Sequence, residues 1–159
     1  MISKKKLSRE QALQKARHYC AYQERCHYEV KQKLYSFGLW KSEAEEALSV
    51  LIEENYLNEE RFAIQFAGGH FRMKQWGRIK IRYELKQKLV SEYCITKALK
   101  EIGEQEYLRS LEKLAVKKWE TLKELNKLFE KKRKLQDYLI QKGYEHGLVA
   151  DILRNIEEN

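Results

Sequence analysis

The chain has 159 residues, with 32 Lys and Arg against 24 Asp and Glu, a formal charge of +8, no proline and seven scattered glycines. That length suits one domain or several small repeated units, and the composition argues for helices joined by short turns rather than a loop-built active site. No apolar run reaches membrane length and no signal-peptide core follows Lys4-Lys5-Lys6, so a cytoplasmic chain with three reduced thiols is expected.

Residues 1–7 read as a flexible basic tail. Ser8 with Gln11 forms a capping-box pattern, and the helix it opens carries Ala12, Leu13, Ala16, Tyr19 and Cys20 on one face. A second helix, marked by Val30 and Leu34, stops at Phe37-Gly38, where glycine suits a left-handed terminus. Ser42 with Glu45 predicts the start of a third helix, with Ala44, Ala47, Leu48 and Leu51 facing inward. Asn58 caps the next helix, and Glu59 and Glu60 suit the positive end of its dipole.

The plan then recurs. Ala12, Ala16 and Cys20 correspond to Ala63, Ala67 and Phe71; Val30 and Leu34 to Ile81 and Leu85; and Ala44, Ala47, Leu48 and Leu51 to Ile95, Ala98, Leu99 and Ile102. A third copy places Leu111, Leu114, Ala115 and Trp119 on its first helix. Leu135 and Leu139 follow, then Gly143, then Val149, Ile152, Leu153 and Ile156. The expected fold is all-α: three tandem three-helix repeats over residues 8–57, 58–103 and 104–159, forming an elongated, curved array. Two places are less regular. Leu89 stands where the first copy has Gly38, so that helix must end without glycine or in another geometry. Residues 119–131 read either as a turn with a new helix start or as one continuous helix, and the repeat requires the turn.

Charge is uneven. Glu43 to Glu60 holds seven acids and no base, whereas Phe71 to Val90, within a segment marked by two glycine breaks, holds seven bases and one acid. Arg78, Arg82 and Lys86 fall on one side of a helix whose other side carries Ile81 and Leu85. Like charges at this spacing repel by a few tenths of a kcal/mol per pair, which anionic groups of a partner would offset. Arg72, Lys74 and Lys80 extend that patch, and Lys131, Lys132, Arg133 and Lys134 form a second. These positions are either a binding face for a polyanion or a solvated surface. Trp76 is either a stacking platform for a base or a lid on the core.

Signatures of catalysis are missing: no glycine-rich phosphate loop, no HExxH and no nucleophile elbow. His18, Cys20, Cys26 and His27 lie close together, but Cys-x5-Cys is not a structural zinc spacing. No metal, cofactor or catalytic residue is expected, and Cys94, near a helix start, is read as an inert thiol.

Tyr56-Leu57-Asn58-Glu59-Glu60-Arg61-Phe62-Ala63, then Gly77-Arg78-Ile79 and Glu84-Leu85-Lys86-Gln87-Lys88, resemble the bacterial regulatory RecX family. So do Leu139-Ile140-Gln141-Lys142-Gly143-Tyr144, Val149 and Ile152-Leu153. The resemblance implies tandem three-helix units and a non-catalytic regulator that binds the filament of the RecA recombinase on DNA. It further implies inhibition of recombination and a place in DNA repair and the SOS response. The expected partners are that filament and single- or double-stranded DNA, with no membrane and a monomeric chain. The other reading is a general architectural DNA-binding protein without recombinase regulation. Asn58, where the family commonly has Asp, and Lys88-Leu89-Val90, where it has Lys-Gly-hydrophobic, depart from the pattern.

Overall fold

The computed structural model describes residues 6–156, and within them the chain forms nine α-helices. They are α1 (Arg9–Tyr22), α2 (His27–Ser36), α3 (Lys41–Glu53), α4 (Glu59–Lys74), α5 (Arg78–Gln87), α6 (Glu92–Lys100), α7 (Glu104–Thr121), α8 (Leu128–Gln141) and α9 (His146–Ile156). No strand occurs among the described residues. The all-α expectation is therefore met, and residues 122–127 break the path between α7 and α8, so the turn reading holds there.

Local chemistry explains the helix starts. Ser8 Oγ accepts from the Gln11 N–H at 3.2 Å, while Gln11 reaches back to the Ser8 N–H at 3.1 Å. Asn58 accepts from the Arg61 N–H at 2.9 Å. Helix α3 corrects the sequence reading. It opens at Lys41 rather than after Ser42, because Glu43 accepts from the Trp40 N–H at 3.0 Å. Gly68 and Gly69 lie inside α4, so that pair is not a break; the break falls at Gln75-Trp76-Gly77.

The repeated apolar positions are buried. Val30, Leu34, Ile81, Leu85, Leu135 and Leu139 are all fully enclosed, as are Ala12, Ala16, Ala63 and Ala67. Burial of one Leu or Ile stabilises by about 1.5–3 kcal/mol, so each copy carries its own seed of core. The compact divisions of the chain are not the repeats themselves. One unit comprises the residues up to Gln65 with Leu85–Lys97; the other comprises Phe66–Glu84 with the residues from Ala98 onward. Helices α4, α5 and α6 are each divided between the two. The repeat boundaries thus stay a proposal about sequence, and compactness follows another partition.

In the first unit, α1, α2 and α3 pack pairwise around Ala12, Ala16, Cys20, Val30, Leu34, Ala44, Ala47 and Leu51. Acids of α3 and of its C-cap, Glu54, face bases of the same unit. Glu43 pairs with Lys6 and Arg9, Glu46 with Arg9, and Glu54 with Arg17 at 2.7 Å. With Glu45, 4.0 Å from Lys31, at least four of the seven acids in this stretch have a cation within the unit. Residues 1–5 of the expected tail lie outside the described residues, but Lys6 and Leu7 are not loose. Leu7 donates its N–H to Phe37 at 3.0 Å, and Lys6 lies over the Trp40 ring at 5.3 Å.

In the second unit, α8 packs against both α7 and α9. Its backbone does something more specific. The Gly77 N–H donates to the Lys142 carbonyl at 2.8 Å, and the Ile79 N–H to the Gly143 carbonyl at 2.9 Å. The first turn of α5 and the last turn of α8 each leave backbone groups without partners inside their own helix, and here they satisfy one another. A Cβ on Gly77 would stand 2.3 Å from the Gly143 carbonyl group, and one on Gly143 would stand 2.3 Å from Lys80 Cβ. Only glycine permits that approach.

Candidate nucleic-acid interface

The structure separates the predicted basic residues by what they touch. Arg78 is not on an open face. Its guanidinium lies 3.8 Å from the Tyr107 ring centroid, pairs with Glu145 at 2.7 Å and also with Glu104, and its backbone N–H donates to the Tyr107 hydroxyl at 2.9 Å. Tyr107 in turn donates to the other oxygen of Glu145. Burial alone would lower the Arg78 pKa, but the two carboxylates outweigh it and raise it. Burial and the bond to Glu145 push the Tyr107 pKa well above its ordinary value. Arg78 therefore holds the α5 start to α7 and the α8–α9 turn. Its guanidinium is thus engaged within the chain rather than standing on an open helix face.

Trp76 is likewise engaged in packing. Its ring stacks on His70 with centroids 4.5 Å apart and meets Phe66 edge-on at 6.4 Å, and Lys74 and Lys80 cover it at 5.2 and 4.9 Å. The neighbouring backbone is pinned too: Tyr144 donates to the Gln75 carbonyl and Lys142 to that of Lys74, both at 3.0 Å. Further along, Lys86 pairs with Glu92 at 3.6 Å, where both are exposed, and Lys131 lies over Trp119 at 5.6 Å. Arg82 and Lys132 also have interactions within the chain. Arg133 and Lys134 are exposed on α8.

One predicted residue does line a concavity. Arg72 joins Gln75 from the end of α4 with Glu106, Arg109, Ser110, Lys113 and Lys117 from α7 around a groove of about 690 Å³, floored by Phe71 and Leu114. The Arg72 guanidinium folds back over Gly68, where a Cβ would stand 2.8 Å from it. Arg109, Lys113 and Lys117 recur every fourth residue, so each step advances about 6 Å along one side of α7. Four cations stand against one carboxylate along this groove, so its net charge is positive. Sequence reading singled out neither Arg109 nor Lys113, although the spacing that marked Arg78, Arg82 and Lys86 is the same signal.

The cysteines have no such surroundings. Cys20, Cys26 and Cys94 are buried free thiols, and burial pushes Cys20 up to about 11 and Cys26 to about 12. Among the described residues no group of three His, Cys, Asp or Glu could hold a metal ion, and no helix is long and apolar enough to cross a membrane.

The pattern of the second three-helix domain of RecX matches residues 58–99, and that of the third matches residues 104–153. The chain belongs to the RecX family. Among its relatives, the regulatory protein RecX of Bacillus cytotoxicus is 28% identical over 140 residues, covering 88% of this chain and 52% of the relative. The regulatory protein RecX of Clostridium perfringens strain 13 is 31% identical over 132 residues, covering 82% and 61%. The chain thus spans roughly half to three-fifths of the length of these curated relatives. The crystal structure of RecX from Lactobacillus salivarius shares the fold, with a TM-score of 0.86 at 20% identity over 95% of this chain and 97% of that one. The pieces that carried the resemblance, Gly77-Arg78-Ile79 and Lys142-Gly143-Tyr144, are the two sides of the backbone contact described above. The family motif here describes packing.

Proposed function

We propose that this chain is a non-catalytic, inhibitory regulator of the RecA recombinase that binds the RecA–DNA filament and so modulates homologous recombination and DNA repair. The observation that carries the reading is the match to two successive RecX three-helix domains, over residues 58–99 and 104–153. The basic groove on α4 and α7 is consistent with it, because a small protein without an active site must act through affinity, and a filament on DNA presents dense negative charge. ATP hydrolysis in such a complex belongs to the recombinase.

The test adds the purified protein to RecA filaments on single-stranded DNA and follows filament growth and strand exchange. Slower growth and reduced exchange at stoichiometric protein are expected. Unchanged filaments at saturating protein overturn the reading. Tight, salt-sensitive binding to naked DNA with no preference for the filament favours a general DNA-binding protein instead.

A further inference from the structure

We infer that the groove between the end of α4 and α7 is a phosphate track for one nucleic-acid strand, gripping the backbone and leaving the bases unread. This deepens the regulatory reading and rests on it for biological context, but its geometry stands alone. Two walls carry the charge: Arg72 on one side, and Arg109, Lys113 and Lys117 in a row on the other. The row advances about 6 Å per residue pair, a step comparable to that between successive phosphates of an extended strand. Arginine forks can clasp phosphate oxygens in pairs, the lysines act as point charges, and Ser110 and Gln75 add neutral donors.

The floor decides against base recognition. Phe71 is the groove's aromatic residue, and it is buried with its ring stacked 5.8 Å from Tyr107. No aromatic face in the lining is free to take a base, so stacking of the kind that strengthens single-strand binding has no platform here. Glu106, the one acid in the lining, opposes a phosphate at its end of the track. With cations on both sides of the concavity, a single backbone can meet both at once.

The test is fluorescence anisotropy of the full chain with labelled oligothymidylate, oligoadenylate of equal length, the matching duplex and a poly-glutamate peptide. No recombinase is present, so this result and the filament assay can fail separately. Both single strands are expected to bind equally and more tightly than the duplex or the peptide. Arg109→Gln, Lys113→Gln and Lys117→Gln together should weaken binding at least about tenfold and lower the salt slope by about 2, since each single-strand phosphate contact contributes about 0.7. All three side chains are exposed, so circular dichroism should be unchanged. Glu106→Gln should tighten binding, a gain that damage to the fold would not produce. Unaltered affinity in the triple variant overturns the site. A strong preference for oligoadenylate overturns the backbone-only mode, and tighter binding of the duplex or the peptide overturns the single strand as occupant.

Discussion

The turns after α5 and after α8 have the same hydrogen bonds and opposite needs. In the first unit the Leu89 N–H donates to the Lys86 carbonyl at 3.0 Å and the Val90 N–H to that of Leu85 at 3.1 Å. In the second, Gly143 donates to Ile140 at 2.9 Å and Tyr144 to Leu139 at 3.2 Å. Both are Schellman closures with a left-handed residue at the pivot, φ +60° for Leu89 and +100° for Gly143. Leu89 is 70% exposed and meets the turn's demand at an energetic cost, because a left-handed residue with a Cβ is disfavoured by about 1–2 kcal/mol. Gly143 faces a further demand, since the α5 start presses on it. A glycine at a helix end can therefore answer to conformation alone or to conformation and space together.

The sharpest way to break the comparison is to give both turns the same side chain. Gly143→Ala should cost about 3 kcal/mol, combining strain at positive φ with overpacking against Lys80, whereas Leu89→Ala should change stability little. Urea unfolding of both variants measures this; equal midpoints would show that the contact at Lys80 yields easily. A smaller effect of opposite sign is expected from Leu89→Gly. It should stabilise the protein by about 1 kcal/mol, read as a higher melting temperature, and a lower one would mean that the Leu89 side chain contributes contacts of its own.

The smallest effect concerns pH. Cys20 and Cys26 in the first unit and Tyr107 and Tyr144 in the second all have pKa values raised by burial. A raised folded pKa leaves stability whole below the unfolded value and removes it as pH climbs past that value. The first unit should therefore weaken from about pH 8.5 and the second only from about pH 10, the ordinary ranges of thiol and phenol. The urea midpoint should be flat between about pH 6 and 8 and fall above that, less steeply in Cys26→Ala. Rapid reaction of native thiols with a disulfide reagent at pH 8 would contradict the burial behind this order.

What was legible in the sequence follows the range of the interactions. Val30 and Leu34, Ile81 and Leu85, and Leu135 and Leu139 announced the buried faces because periodicity within one helix is a local signal. The break before α8 was legible only through the repeat, since propensity across Leu122 to Lys127 suits helix as well. The bracing of Arg78 is not legible in the sequence because its partners, Glu104 and Glu145, lie 26 and 67 residues away along the chain. The groove was half legible: Arg72 was marked, but its opposite wall belongs to α7, and nothing near Arg72 announces that meeting. The left-handed geometry at Leu89 is not legible, because a leucine gives no hint of positive φ.

The burial of every native thiol has a practical corollary. Maleimide chemistry should find almost nothing to modify on the folded chain, so one introduced cysteine becomes the sole handle. Tyr22 in the first unit and Met73 in the second are exposed at 82% and 83%. Tyr22→Cys with Met73→Cys would carry a donor and an acceptor dye, making the protein its own molecular ruler.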